Sequence, residues 1–90
     1  MDILLADDHA MVRDGLAPFL ERVADNARVV EAGSLEEALN KADQCPHLGL
    51  TILDLNMPGM DGLNGLSAML KAHPTVPVVI LSGSTHPADA

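Results

Sequence analysis

The sequence predicts an α/β domain built on a doubly wound parallel sheet. Short apolar runs typical of strands alternate with stretches in which apolar residues recur at helical spacing. The first run is wholly apolar, as is usual for strands buried on both faces. No internal repeat or linker interrupts the alternation. Residues 1–90 are therefore expected to form one small domain with right-handed crossovers between parallel strands.

The first half of the chain predicts two strands and two helices. Residues 3–6 form the first strand, and residues 28–32 form the second. Between them, residues 11–23 predict a helix, and Pro18 is expected to bend it because proline removes a backbone hydrogen bond. The apolar positions of this helix are Val12, Leu16, Phe19, Leu20 and Val23. The next helix begins with a capping box formed by Ser34 and Glu37, and its apolar face is Leu35, Ala38, Leu39 and Ala42.

The second half repeats the pattern. Residues 50–53 predict the third strand, and residues 76–81 predict a fourth that ends at Ser82. Pro77 suits a strand start, where no donor to the sheet is needed. Residues 61–72 predict the third helix, and the residues expected to face inward are Leu63, Leu66, Met69 and Leu70.

Composition limits the classes of function. The chain has thirteen acidic and five basic residues, a net charge of −8, which opposes direct binding to nucleic acid. A core with one Phe and no Trp or Tyr must be aliphatic. Cys45 is the only cysteine, so we expect a buried, inert thiol in a reducing compartment. With no signal peptide and no apolar run of membrane-spanning length, a soluble, cytoplasmic chain with no membrane partner is expected.

Acidic residues follow two of the predicted strands. Asp7 and Asp8 follow the first strand, and Asp54 follows the third. If these strands are parallel neighbours, the three carboxylates meet at the edge where open α/β sheets bind ligands. Because like charges repel at short distance, such a cluster usually holds a divalent cation or a proton with a shifted pKa.

Each of these residues also has a simpler structural interpretation. Asp7 and Asp8 are suited to cap a helix, Asp54 to cap a loop, and Ser82 to end a strand without a role. The combination at adjacent strand ends favours a site over independent caps. The histidines are spread along the chain and are interpreted as surface or loop residues: His9, His47, His73 and His86. Three methionines are interpreted as aliphatic core filler: Met57, Met60 and Met69.

Several segments together resemble one known family. They are Ala-Asp-Asp-His at 6–9, Arg-Asp-Gly-Leu at 13–16, the loop 54–62 and the strand 78–82. In order and spacing they resemble the receiver domain of bacterial two-component response regulators, and most closely receivers joined to a LuxR-type helix-turn-helix output domain. The resemblance covers essentially the whole chain. It implies a flavodoxin-like, CheY-like fold, of which this chain would hold four of five strands in the order 2-1-3-4.

The resemblance also implies a function for the acidic residues. Asp54 would accept a phosphoryl group from the phosphohistidine of a sensor histidine kinase. Asp8 and Asp54 would bind Mg²⁺ directly, Asp7 through water, and Asn56 through its backbone carbonyl. Ser82 would donate its hydroxyl to a phosphoryl oxygen and report phosphorylation. A receiver of this kind modifies itself and is not an enzyme in the ordinary sense.

The chain departs from the family pattern after the fourth strand. The family has a phosphate-binding lysine at the end of a fifth strand, whereas Lys41 and Lys71 lie in the predicted second and third helices. The fourth helix, fifth strand, fifth helix and output domain are expected to be absent. A sheet face and the edge of the fourth strand would then be exposed, and self-association through them is expected.

Two alternatives to a phosphoacceptor remain open. The first is an interaction or dimerisation module that keeps the fold, is not phosphorylated and binds through the open face. The second is a Mg²⁺-dependent hydrolase of the haloacid dehalogenase type, which would need an acidic residue where this chain has Asn56.

Overall fold

The residues that the structure describes form one four-stranded parallel sheet with helices on both faces. The computed structural model describes residues 1–23, 26–61 and 63–81. Its elements are β1 (Asp2–Ala6), α1 (Ala10–Val23), β2 (Arg28–Ala32), α2 (Leu35–Asp43), β3 (Leu48–Asp54), α3 (Leu63–Ala72) and β4 (Val78–Leu81). The strand order is β2-β1-β3-β4, and every neighbouring pair is parallel. The predicted fold class and strand order are therefore confirmed.

Strand β1 supplies the core of both layers because its side chains alternate between the two faces. Leu4 and Ala6 are fully buried on the face covered by α2 and α3. Ile3 and Leu5 are fully buried on the opposite face, against α1. Each fully buried leucine or isoleucine stabilises the fold by roughly 1.5–3 kcal/mol. The central strands thus fix the sheet, and the loops at its carboxyl edge are built on a rigid base.

Helix α2 begins as predicted, with one difference in its cap. Ser34 accepts a hydrogen bond from the backbone N–H of Glu37 at 3.2 Å. The Glu37 carboxylate reaches back to the N–H of Gly33 at 2.8 Å, one residue before the expected capping-box partner. Both contacts satisfy donors that the helix cannot pair internally. The predicted inner face is confirmed, since Ala38 and Ala42 are buried and two leucines, Leu35 and Leu39, pack against the core.

Helix α1 continues through Pro18, and only part of its apolar surface is covered. Leu16 and Leu20 pack against the sheet together with Ala17. Val12 and Phe19 share the predicted helical spacing but remain 38% and 52% exposed. The apolar stripe of α1 is therefore wider than the surface that the described sheet covers.

The prediction for α3 was wrong at its start and on part of its face. The helix begins at Leu63, because Asp61 has a left-handed backbone with φ of 49° and cannot form the first helical turn. Leu63 and Leu70 are 67% and 43% exposed, although both were expected inside. The buried residues of the helix are Gly65 and Met69, and Leu66 packs beside them. Close packing at Gly65 accompanies an inner face that includes Leu66 but not Leu63 or Leu70.

The three methionines predicted to fill the core are buried, and so is Cys45, as predicted. Met57, Met60 and Met69 are at most 3% exposed and belong to one core cluster. Cys45 is buried, and this burial raises the pKa of its thiol above the ordinary value. A thiol kept protonated in this way is a poor nucleophile, which agrees with the inert interpretation.

Strand β4 is the outer strand of the described sheet, beside β3. It begins at Val78, two residues later than predicted, and the carbonyl of Pro77 accepts a hydrogen bond from the N–H of Thr51. Val79 is 48% exposed and Ile80 is 36% exposed. Ser82 lies outside the described residues. None of the helices in the described part of the chain has the length and apolar character that crossing a membrane requires.

Candidate functional site

Three carboxylates meet at the carboxyl edge of the two central strands. Asp54 is the last residue of β3, and Asp7 directly follows β1, its parallel neighbour. Both are 4% exposed, while Asp8 lies at the surface beside them. We call this set of Asp7, Asp8 and Asp54 the acidic pocket. It forms because parallel neighbouring strands end at the same edge of a sheet.

The side chains of the acidic pocket are close enough to share one ion. One donor atom from each of its three residues, together with one from His9, falls in a group within 4.8 Å of one another. Burial raises the pKa of Asp54 above its usual value, and the charges of Asp7 and Asp8 act in the same direction. The pocket therefore favours either a proton or a cation near Asp54.

The loop after β3 holds the Asp54 carboxylate by its backbone. The N–H of Asn56 donates to Asp54 Oδ1 at 2.9 Å, which partly opposes the rise in the pKa of Asp54. Met57, which is buried, donates its N–H to the Asp54 carbonyl at 3.4 Å. One carboxylate oxygen of Asp54, Oδ1, is thus paired with the loop.

The same loop is attached to α2. The N–H of Leu35, the first residue of α2, donates to the carbonyl of Pro58 at 3.0 Å. Gly59 has φ of 88°, a region that residues with a side chain rarely adopt. A Cβ atom at Gly59 would also lie 3.3 Å from the Cβ of Leu35. This close approach fixes the loop against the helix.

His9 is an exposed loop residue, as predicted, and it also contacts the acidic pocket. Its backbone N–H donates to Asp7 Oδ1 at 2.8 Å. Its ring Nδ1 lies 3.0 Å from Asp7 Oδ1 and 3.1 Å from Asp8 Oδ1. The hydrogen bond with Asp7 and the charge of Asp8 raise the pKa of His9. Its position directly after Asp8 could have predicted that it contacts the site. The wide spacing of the four histidines had suggested no common role for them.

Arg13 holds the loop between β1 and α1. The sequence did not predict it as a site residue. Its Nη1 donates to the backbone carbonyl of Asp7, and its Nε donates to Glu31 Oε1 at 3.0 Å. The N–H of Asp7 donates to the carbonyl of Ala32 at 2.9 Å, which extends the pairing of β1 with β2. Arg13 thus joins α1, the end of β1 and strand β2. Arg13 lies one turn into α1, and this position indicates a contact with the site only when the fold is known.

The donor set of the acidic pocket fits a magnesium ion. Mg²⁺ prefers oxygen ligands at about 2.0–2.1 Å and is usually held by one or two carboxylates plus waters. The three carboxylates provide such oxygens within reach of one point. Among the predicted ligands, the structure brings together Asp7, Asp8 and Asp54. Asn56 contributes its N–H to Asp54. Ser82, the predicted phosphoryl contact, lies outside the described residues.

The fold and the pocket define a class of protein. A doubly wound parallel sheet with clustered carboxylates at the ends of its two central strands is typical of flavodoxin-like domains. Domains of this class bind ligands at that edge of the sheet. The model of the response regulator receiver domain family matches residues 3–90. The chain belongs to the response regulator receiver domain family.

Known proteins similar to the chain include transcriptional regulators. It is 42% identical over 80 residues to the "Glycerol metabolism activator" of Pseudomonas putida, covering 89% of this chain and 36% of that protein. It is 37% identical over 87 residues to the nitrate/nitrite response regulator protein NarL of Escherichia coli K12, covering 97% and 40%. The structure of the RcsB response regulator of Salmonella typhimurium superposes with a TM-score of 0.81 at 27% identity, covering 98% and 46%. The chain thus spans less than half the length of these relatives.

Proposed function

We propose that the chain is the phosphoacceptor receiver of a two-component transcriptional regulator. In this proposal residues 1–90 form the receiver part, and Asp54 takes a phosphoryl group from the phosphohistidine of a sensor histidine kinase in the cytoplasm. The observation that carries the proposal is the convergence of Asp7, Asp8 and Asp54 at one sheet edge. Family membership supports it, because receivers take part in this chemistry.

The proposed reaction uses Asp54 as the nucleophile. An oxygen of its carboxylate attacks phosphorus, the bond between phosphorus and the histidine nitrogen breaks, and the electron pair returns to the imidazole. Asn56 holds Oδ1 of Asp54 and orients the carboxylate. Phosphoryl transfer depends mainly on such positioning and on charge neutralisation.

The proposed cofactor is Mg²⁺, which would neutralise charge on the phosphoryl oxygens. Asp8 and Asp54 would hold it directly, Asp7 through water, and Asn56 through its carbonyl oxygen. Arg13 keeps Asp7 in place by binding its backbone carbonyl. The resemblance further assigns the phosphoryl contact to Ser82, and this role stays part of the proposal.

Phosphorylation at Asp54 is tested by intact-mass spectrometry. The chain is incubated with acetyl phosphate and Mg²⁺, alongside Asp54→Asn and the control Asp14→Asn, which changes an exposed aspartate of α1. We expect a single phosphoryl adduct on the wild type and on the control. We expect none on Asp54→Asn and none when EDTA replaces Mg²⁺.

The contrary result is equally definite. An unmodified wild-type chain that keeps its fold by circular dichroism would overturn the proposed phosphoacceptor function. The alternative of a non-phosphorylated interaction module would then be favoured.

We propose in addition that the chain associates with a second copy of itself. Phe19 of α1 and Val79 of β4 are both about half exposed. Val79 lies two residues from Leu81, which packs on the α1 side of the sheet, so both apolar residues belong to the same face. The outer strand β4 adds backbone groups to pair with a partner. The RcsB regulator has been solved as dimers bound to DNA, which supports such an assembly in a structural relative.

Sedimentation velocity over a range of concentrations tests self-association. We expect the sedimentation coefficient of the wild type to rise with concentration. That of Val79→Lys should stay at the value of a monomer, because a charge at the edge opposes pairing. Thr75→Lys, at an exposed position before β4, is the control for added charge. A wild type that stays monomeric at all concentrations would contradict the proposal.

A further inference from the structure

Glu31 is a carboxylate of the edge strand β2 that the proposed reaction does not use. Val29, two residues before it in the strand, packs on the α1 side of the sheet. Because side chains alternate along a strand, Glu31 lies on that side as well. There its Oε1 accepts a hydrogen bond from Arg13 Nε at 3.0 Å. The carboxylate of Glu31 is thus directed to α1 and not into the core.

The guanidinium of Arg13 connects Glu31 with the acidic pocket. Its Nε donates to Glu31, and its Nη1 donates to the backbone carbonyl of Asp7. A guanidinium is planar and holds its donors in a fixed fork, so the direction of one hydrogen bond sets the direction of the other. The position of the Glu31 carboxylate therefore decides how Arg13 meets Asp7.

Two consecutive residues of β2 hold the backbone on both sides of Asp7. The N–H of Asp7 donates to the carbonyl of Ala32 at 2.9 Å. The carbonyl of Asp7 is held through Arg13 by Glu31. Glu31 is itself tied to α2, because Lys41 Nζ donates to its backbone carbonyl at 2.6 Å. Strand β2 thus fixes both peptide groups from which the Asp7 side chain projects.

Glu37 is the other carboxylate near the guanidinium of Arg13. A Cβ atom at Gly33 would lie 3.3 Å from Arg13 Nη1 and 3.7 Å from Glu37 Oε1. However, Glu37 accepts a hydrogen bond from the N–H of Gly33 at 2.8 Å and lies 3.2 Å from Lys41 Nζ. Lys41 therefore neutralises Glu37, and the ion-pair partner of Arg13 is Glu31.

We propose that Glu31 is a positioning residue of the acidic pocket, which acts through Arg13 to orient Asp7. The inference rests on the proposed function, and it adds a residue of β2 that touches neither the phosphoryl group nor the ion. The side chains of Arg13 and Glu31 are 22% and 40% exposed, and ion pairs of this kind contribute little to stability. The role of the pair is therefore to set geometry. Residues that orient metal-binding side chains commonly change metal affinity or activity by about 10–100-fold when they are replaced.

Calorimetric titration with Mg²⁺ tests the role of Glu31. Glu31→Ala removes the carboxylate, and Glu21→Ala, at an exposed glutamate of α1, is the matched control. We expect Glu31→Ala to lose about tenfold in Mg²⁺ affinity and the control to match the wild type. Glu31→Gln keeps an oxygen acceptor for Arg13 Nε and should recover most of the lost affinity.

A double-mutant cycle separates action through Arg13 from a general effect of charge. Arg13→Met keeps a long side chain and removes the guanidinium. In this background we expect Glu31→Ala to change Mg²⁺ affinity by less than about twofold, because the contact that transmits its position is already lost. An effect of Glu31→Ala that is undiminished in the Arg13→Met background would overturn the inference.

Amide hydrogen exchange in EDTA tests the same positioning without an ion. The N–H of Asp7 should exchange faster in Glu31→Ala than in the wild type, whereas the N–H of Leu4, in the middle of β1, should be unchanged. Equal Mg²⁺ affinity and equal exchange at Asp7 in both proteins would also overturn the inference. If Asp54 still gains its phosphoryl adduct in that case, the proposed function stands. If no adduct forms on any chain, the proposed function fails, and exchange at Asp7 still decides the role of Glu31.

Discussion

Gly65→Ala is expected to destabilise the fold by about 1–3 kcal/mol, the usual cost of overpacking a filled core. Alanine favours helices, so propensity alone predicts a gain of about 1 kcal/mol in α3. However, a Cβ atom at Gly65 would lie 2.5 Å from Met60 Sδ and 2.8 Å from Met60 Cα. The side chain of Met60 can move aside, but its Cα cannot move without displacing the loop after β3. Packing is therefore expected to outweigh propensity.

Gly15→Ala provides a matched control in α1. A Cβ atom at Gly15 would meet nothing within 4 Å, so the same change is expected to stabilise the fold by about 0.5–1 kcal/mol. Thermal unfolding should show melting temperatures shifted in opposite directions, by roughly 4–8 °C per kcal/mol for a domain of this size. A gain in stability for both variants would show that Met60 relaxes freely and that the contact at Gly65 is unimportant.

Asp54→Asn is expected to make the protein more stable at neutral pH while removing the phosphoacceptor. The amide keeps the oxygen that accepts from the N–H of Asn56, and it removes a buried negative charge next to Asp7 and Asp8. Relief of such functional-site repulsion commonly contributes ~0.5–2 kcal/mol, or a few degrees in melting temperature. The comparison is made in EDTA, so that no cation neutralises the wild-type pocket.

The gain from Asp54→Asn should depend on pH. Burial raises the pKa of Asp54 in the folded state, so the folded protein holds this proton to a higher pH than the unfolded chain does. The stability contributed by the proton is present at low pH and is lost as pH rises through the folded pKa. The advantage of the variant should therefore grow from about pH 4 towards neutrality. An advantage that is constant over this range would contradict the assignment of the repulsion to Asp54.

Much of the fold was predictable because its signals are local. The four apolar runs became the four strands, and Ser34 began α2 by the expected hydrogen bond to Glu37. The boundaries were less accurate where tertiary contacts decide them. Strand β3 extends from Leu48, two residues before its predicted start, because pairing with β1 continues to Asp2. Apolar spacing also does not report the close packing at Gly65 that accompanies the orientation of α3.

The acidic pocket was predictable for the same reason. The contacts that His9 and Arg13 make beside it were not. Asp7, Asp8 and Asp54 each follow an apolar run, so sheet topology alone brings them together. His9 and Arg13 were missed because their roles depend on the path of the chain between β1 and α1. The pairing of Arg13 with Glu31 joins residues eighteen positions apart, which no local pattern encodes. The role of Ser82 stays a prediction.

The hydrogen bond between Leu35 and Pro58 bears on where this chain tolerates inserted residues. The segment from Met57 to Gly59 supplies a carbonyl to α2, buries a methionine and includes a left-handed glycine. An inserted residue there would detach the first turn of α2 and shift the Asp54 carboxylate with it. The side chains of Pro74 and Thr75 are exposed, and among the described residues this turn makes no such link to a helix start. A peptide tag or reporter domain therefore belongs between Pro74 and Thr75, where the acidic pocket is not disturbed.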